Sequence, residues 1–172
     1  MGGNDDDFRE FVLLRRAGLL RSAHALTGDR ATAEDLVQNA LLKTYTSWGR
    51  VSRADDPYAY TQRILFTSFS RMRRRRRVAE DLGASAEPAA AGADDGEIAD
   101  RDQLRRALDE LPARYQAVLV LRFYEDFSVE KVAGILGCST GTVKTQTSRA
   151  LARLRLSPQL DVVQRDGEHE HL

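Results

Sequence analysis

The sequence has one cysteine in 172 residues, Cys138. A single thiol excludes an internal disulfide and any cysteine-rich metal site. No apolar run is long enough to cross a bilayer as a helix, so no membrane insertion is expected. Asp5-Asp6-Asp7 stands where a secretory signal would be basic. A cytoplasmic protein is therefore expected. There is no Gly-rich phosphate loop of the Walker type. No catalytic constellation is present, so an enzyme is not expected, nor a cofactor. The three histidines offer no metal site: His24 has no ligand partner at helical spacing, and His169 and His171 have nothing to complete a set. His24 is expected on or beside a helical core. Cys138 reads as a small buried residue in a turn.

Net charge is absent too, with 26 basic and 26 acidic residues. That balance conceals a strong segregation. Residues 50–77 hold nine Arg and two Asp, a net of +7. Residues 78–102 hold eight acids and Arg101, a net of −7. Residues 139–156 carry four basic residues and no acid, and the last sixteen residues net −3. Two basic surfaces and two acidic flexible pieces follow from this pattern.

The most informative stretch runs from Phe127 to Leu156. Ser128 is suited to cap a helix, and Val129, Val132, Ala133 and Leu136 share one face of it. Gly137 can take the positive φ that ends such a helix. Ser139 is suited to cap a second helix, with Val143 plugging back onto the first. The result is a helix-turn-helix whose outward face shows Lys144, Thr145, Ser148, Arg149 and, further on, Arg153. Cations there neutralise phosphates, and polar side chains on such a helix read base edges in the major groove.

The rest of the chain is helical in pattern. Asp5 to Leu26 places Phe8, Phe11, Val12, Leu19, Ala23 and Leu26 inward, with a break expected near Gly18. Ala33 to Trp48 carries a continuous stripe of Ala33, Leu36, Val37, Ala40, Leu41, Tyr45 and Trp48, with Thr32 as its expected cap. Its other face shows Asp35, Gln38, Asn39 and Leu42. Periodicity alone favours a solvated face there, although apolar Leu42 lies off the stripe and suits a docking partner. Gly49 to Asp56 reads as a loop. Asp56-Pro57 then opens a helix through Tyr58, Tyr60, Ile64, Leu65, Phe66, Phe69 and Met72 into five consecutive arginines. Its aromatics are too many for one stripe. Interleaved with Arg63 and Arg71, they suit single-stranded DNA, whose bases stack on rings while cations track the backbone. Residues 78–99 read as a flexible acidic linker. Beyond it, Leu104, Ala107, Leu108 and Leu111 are expected inward on one helix, and Tyr115, Val118, Leu119 and Phe123 on a helix from Pro112 to Tyr124. Residues 157–172 read as a disordered acidic tail. The fold expected is all-α: two small helical domains, 1–77 and 100–156, joined by the linker.

Four stretches together resemble the bacterial RNA polymerase sigma factors of the extracytoplasmic-function group. They are Leu26-Thr27-Gly28-Asp29 with Ala33-Glu34-Asp35-Leu36-Val37-Gln38; Pro57 to Arg77; Leu108-Asp109-Glu110-Leu111-Pro112 with Tyr115; and Gly141-Thr142-Val143-Lys144 to Arg149. The pattern of Phe11-Val12, Leu19-Leu20-Arg21 and Thr27-Gly28-Asp29 is most similar to the actinobacterial SigE family. The resemblance implies that residues 1–77 correspond to sigma region 2 and residues 100–156 to sigma region 4. It implies core RNA polymerase as partner, through the β′ clamp coiled-coil and the β flap, and promoter DNA, duplex at the −35 element and single-stranded at the −10 element. It also implies that an anti-sigma factor is a candidate partner. On this resemblance Asp35, Gln38, Asn39 and Leu42 face polymerase. Tyr58, Tyr60, Arg63, Thr67, Arg71, Arg74 and Arg75 serve the −10 element. Ser139, Thr140, Thr142, Lys144, Thr145, Ser148, Arg149 and Arg153 serve the −35 element. Several positions depart from the family's habit: Asn39 stands where Glu is usual, Thr67 where Asn is frequent, Tyr60 where Trp is frequent, and Lys144 where Arg is frequent. Lys lacks the planar fork with which Arg grips guanine.

A stand-alone helix-turn-helix regulator would share the second half of this pattern. It would bind duplex DNA by itself, whereas a sigma factor binds weakly until it joins polymerase. An adaptor without a DNA role would leave the basic arrays unexplained.

Overall fold

The computed structural model describes residues 2–83 and 97–160, and every regular element among them is helical. None of these helices is long and apolar enough to cross a membrane. The expected flexible linker over 84–96 and the expected disorder over 161–172 lie outside the described residues.

The first helical group begins with α1, Gly2–Thr27, which runs through Gly18 without a break. Gly18 serves packing instead. A Cβ there would lie 2.6 Å from the hydroxyl of Tyr58, so only glycine lets the ring approach this closely. Gly28, at φ +67°, turns the chain as its N–H donates to the His24 carbonyl. Asp29, not the expected Thr32, then caps α2, Arg30–Thr46. Its carboxylate accepts from the backbone N–H of Thr32 at 3.1 Å and also from the Thr32 hydroxyl. These bonds, the hydroxyl's first, hold the Asp29 carboxyl below the usual range. Thr32 thus supplies the donors that a cap requires, three positions into the turn.

A single helical turn, α3, spans Trp48–Val51 and occupies the start of the expected loop. Trp48 tucks under α1, its ring 5.2 Å from Phe8 and 5.0 Å from Phe11. The next helix, α4, spans Pro57–Asp81, capped by Asp56, whose carboxylate accepts from the Ala59 N–H at 3.0 Å. It runs four residues past the expected start of the linker. Leu65, Phe66 and Phe69 of α4 close over Leu19, Ala23 and Leu26 of α1 and Ala33, Leu36, Val37 and Ala40 of α2.

The second group comprises α5, Glu97–Asp109; α6, Ala113–Leu119; α7, Val129–Leu136; and α8, Thr140–Arg155. The first of these begins inside the expected linker. A π-turn over Val120–Tyr124 extends α6. The π-turn sets the register. Its wider winding leaves Val120 and Leu121 buried and turns Phe123 out, 59% exposed, where the regular helical pattern puts it inward. Leu104 is also exposed, because the buried face of α5 begins at Ala107. Past α8, residues 157–160 form a turn rather than the start of a disordered tail. Ser157 is buried and donates to the Glu110 carboxylate at 3.3 Å.

The two groups touch along a seam. Apolar packing is continuous across it, from Leu65, Phe66 and Phe69 to Val120, Leu121, Val132 and Ile135. Arg105 donates to the carbonyls of Ala25 and Leu26 at the C-terminal end of α1, the latter at 2.7 Å, and pairs with Asp109 at 2.8 Å. A cation is favoured at that end of a helix, where carbonyls lack partners. Arg73 of α4 donates to the carbonyls of Asp109, at 2.7 Å, and Leu111. Ser22 donates to Glu125 at 2.8 Å.

Gly18→Ala is expected to destabilise the protein by about 1–3 kcal/mol in chemical denaturation, through forced repacking against Tyr58. In a Tyr58→Phe background the nearest remaining ring atom is 3.4 Å away. There the same change is expected to be neutral or stabilising, since Ala exceeds Gly in helix propensity by about 1 kcal/mol. Equal costs in both backgrounds would show that the hydroxyl is not the obstacle.

Candidate nucleic-acid interface

The helix-turn-helix is built by its caps. The side chain of Ser128 accepts from the Lys131 N–H at 3.1 Å and starts α7. Gly137 ends α7 at φ +67°, with its N–H on the Ala133 carbonyl. The Ser139 side chain accepts from the Thr142 N–H at 3.1 Å and starts α8. Val132, Ile135, Val143 and Ala150 are sealed inside, and small Ala133 lets the helices cross closely. With α8 fixed by these contacts, Lys144, Thr145, Ser148, Arg149 and Arg153 point to solvent, as do Ser139 and Thr140. The roles within this set differ. Ser139 and Thr142 share a hydroxyl–hydroxyl bond of 2.9 Å, and Thr142 is half-buried, so both hold the helix start. Arg153 lies over the Tyr115 ring at 5.0 Å, which fixes its guanidinium on the flank of α8. Lys144, Thr145, Ser148 and Arg149 remain as the forward-facing set.

The exposed stripe of α4 is the second basic surface. Tyr60, Arg63, Thr67, Arg71 and Arg74 recur at intervals of three and four, hence on one face, with Arg75 beside them. Tyr60 is half-buried and the others are exposed. Thr67 donates its hydroxyl to the Arg63 carbonyl at 2.8 Å, leaving its oxygen free to accept.

Tyr58 does not belong to this surface. It is 8% exposed, packed against α1 at Gly18 with the Arg15 guanidinium 4.8 Å over its ring. Burial, with the Glu125 charge second, pushes its phenol above the usual range. Tyr58 and Tyr60 lie two residues apart and so on opposite faces of α4, and Tyr58 drew the inward one. It cannot stack on a base.

The set expected to face polymerase divides similarly. Asp35 and Gln38 are exposed and Leu42 is 62% exposed, an apolar side chain held in water beside polar ones. Asn39 is half-buried and donates its amide to the Ser68 hydroxyl at 2.9 Å. It is therefore engaged with α4 rather than offered outward. His24, expected beside the core, is exposed, and Cys138 is half-buried against the core. Among the described residues no cluster of His, Cys, Asp or Glu could hold a metal ion.

Sequence reading missed the arginines of the seam. Arg73 lies inside the five-arginine run, but burial lowers its pKa and two carbonyls hold it. The signal available was its spacing: Arg73 follows Phe66 and Phe69 on the buried side of α4. Arg63 meets the other group as well, its guanidinium 3.0 Å from where a Cβ of Gly137 would lie.

Two known families match the chain. Sigma-70 region 2 covers residues 13–78, and Sigma-70 region 4 covers residues 101–154. The RNA polymerase sigma-E factor of Streptomyces avermitilis is 39% identical over 150 residues, covering 87% of this chain and 83% of that protein. The RNA polymerase sigma factor SigV of Bacillus subtilis is 34% identical over 139 residues, covering 79% and 81%. Among solved structures, the sigma factor RpoE of Bartonella quintana, in complex with the anti-sigma factor NepR, superposes with a TM-score of 0.71. It is 33% identical, and the match covers 91% of this chain and 98% of that one.

Because Lys144 and Arg149 are exposed, replacing both with Ala is expected to leave the melting temperature unchanged. Affinity for a mixed-sequence duplex should fall, and the slope of log K against log salt should drop by about two. A salt titration by fluorescence anisotropy reads this directly, and an unchanged slope would remove α8 from the phosphate-contacting surface.

Proposed function

The chain belongs to the extracytoplasmic-function group of the sigma-70 family, and we propose a division of labour among its residues on that basis. Residues 1–77 act as the polymerase-binding and −10 unit, and residues 100–156 as the −35 unit. Lys144, Thr145, Ser148 and Arg149 enter the duplex major groove at the −35 element. Tyr60, Arg63, Thr67, Arg71, Arg74 and Arg75 hold the melted −10 strand, by stacking on Tyr60 and by contact with the phosphates. Asp35, Gln38 and Leu42 dock on core RNA polymerase. The site of action is the cytoplasm.

The observation that carries this reading is the pairing of two solvent-facing basic surfaces on two helical groups in one chain. One is a recognition helix with polar side chains suited to base edges. The other is a single stripe with a ring and cations, suited to unpaired bases. Melting costs a few kcal/mol of unstacking, which base capture on the α4 stripe offsets. The chemistry of initiation belongs to polymerase, and this chain contributes recognition.

The two elements lie about 25 base pairs apart, or about 85 Å along B-DNA at 3.4 Å per pair. Arg63 and Gly137 are in contact across the seam. The arrangement described therefore cannot read both elements at once, and the groups separate on the promoter. The RpoE relative was solved with an anti-sigma factor. By that likeness an anti-sigma factor is a further partner here, and exposed Leu42 is a candidate contact.

Run-off transcription with purified core polymerase on a pool of promoter fragments tests the reading. Initiation is expected to depend on this protein and to be lost when Lys144 and Arg149 are both changed to Ala. Tight duplex binding by the free protein, with no initiation and no co-elution with core, would instead establish a stand-alone regulator.

A further inference from the structure

The seam contains a cleft that shares only Arg74 with the promoter-reading surfaces. It is an open cleft of about 520 Å³, lined by Ser70, Arg73, Arg74 and Arg77 of α4 and by Ala113, Arg114 and Gln146 of the second group. Four arginines from two helical groups thus line one concave space. Among the described residues no carboxylate lines it, and none lies within ion-pair distance of these four arginines. The nearby acid Asp109 is taken by Arg105. Arg114 is steadied by Gln146, whose carbonyl oxygen accepts from its Nε at 3.2 Å. Arg73 is half-buried and anchored on the Asp109 and Leu111 carbonyls. Arg74 and Arg77 are exposed one turn apart along α4.

Like charges converging from both sides oppose the closing of a seam, and an anion between them reverses the sign. The volume falls within the range of small-molecule sites. Planar guanidinium forks match phosphate oxygens in pairs. We propose that this cleft binds a small anion bearing clustered phosphates, of the di- or triphosphate class, which bridges the two helical groups. A DNA duplex is too broad to enter a space of this size, and the titration below tells a small free anion from the phosphates of a DNA backbone. The cleft exists only while the groups are in contact. Its ligand therefore stabilises the closed arrangement, and by linkage opposes any partner that needs the groups apart. The binding claim does not depend on the promoter reading; only this last consequence does.

Isothermal titration of the full-length protein with sodium tripolyphosphate tests it, at ionic strength held constant with sodium chloride and with sodium sulfate as the control anion. Saturable binding of one tripolyphosphate per chain is expected, with a rise in melting temperature that sulfate does not reproduce. Arg77→Gln with Arg114→Gln should weaken binding by at least about tenfold, whereas Arg9→Gln on distant α1 should not. Arg77→Lys with Arg114→Lys keeps the charge and should restore part of the affinity, which separates a binding effect from a folding one. Equal affinity in parent and Gln variant overturns the proposal, as does an equal response to sulfate. Loss of duplex affinity in the Gln variant, without any tripolyphosphate binding by the parent, also overturns it and assigns the cleft to the DNA backbone. Run-off initiation with core polymerase is a separate measurement, so failure here leaves the sigma-factor reading standing.

Discussion

A single helix has to serve three environments at 100° per residue, and the rest of the structure follows from how α4 divides its circumference. Leu65, Phe66 and Phe69 face the core shared with α1 and α2. The opposite side carries Tyr60, Arg63, Thr67, Arg71 and Arg74 into water. Between them, a flank with Arg73 and Arg77 faces the second helical group. Moving any one set by a single residue would drive a guanidinium into the core or a phenylalanine into solvent. The aromatics that exceed one stripe are thereby explained. Tyr58 belongs to the core face and Tyr60 to the solvent face, although they stand two residues apart.

The arginine run poses a second constraint, because its charges repel along the helix. The protein relieves part of this with neutral acceptors. Arg73 finds two carbonyls of the α5–α6 corner; outside the run, Arg105 is held in the same way by two carbonyls at the end of α1. Hydrogen bonds of this charge-assisted kind contribute about 1.5–3 kcal/mol each when formed. They also satisfy carbonyls that helix ends leave without partners. The seam is thus built from ends of helices rather than from matched ion pairs.

How much of this was legible depended on the range of the interaction. The caps at Asp56, Ser128 and Ser139 and the positive φ at Gly137 are local, and their residues could be read directly from spacing. The outward face of α8 followed from the same periodicity. The Asp29 cap was missed because Thr32 looks like a cap itself; only the structure shows that it donates rather than accepts. The π-turn at Val120–Tyr124 changes the register by backbone hydrogen bonding that no residue type announces, so Phe123 was put on the wrong side. Gly18 looked like a helix break because its reason lies 40 positions away, in the Tyr58 hydroxyl. Asn39 could be placed on the outward side of α2, but its bond to Ser68 is a tertiary fact. The seam was invisible for the same reason. A chain with an acidic stretch between two basic units reads as two separate domains, while the apolar residues that join them are each already accounted for within their own helices.

The chemistry of the seam bears on how it opens. Its apolar part resists separation in proportion to the area exposed. Its polar part resists much less, because guanidiniums and helix-end carbonyls are well hydrated once apart, so the net value of such bonds is small beside their gross strength. Opening also changes what the first group can offer. Arg73, engaged with carbonyls in the closed arrangement, is released to the flank of α4, beside Arg74 and Arg77. Arg63 leaves the turn at Gly137 and rejoins its stripe. Opening therefore raises the cationic charge exposed on α4, the surface proposed above for the −10 strand. Under the proposed division of labour, DNA binding and opening favour one another without any dedicated switch, because the side chains that close the seam are the ones that would meet phosphate once it is open. An anion in the cleft acts with the opposite sign, since it occupies those guanidiniums only while the seam is shut.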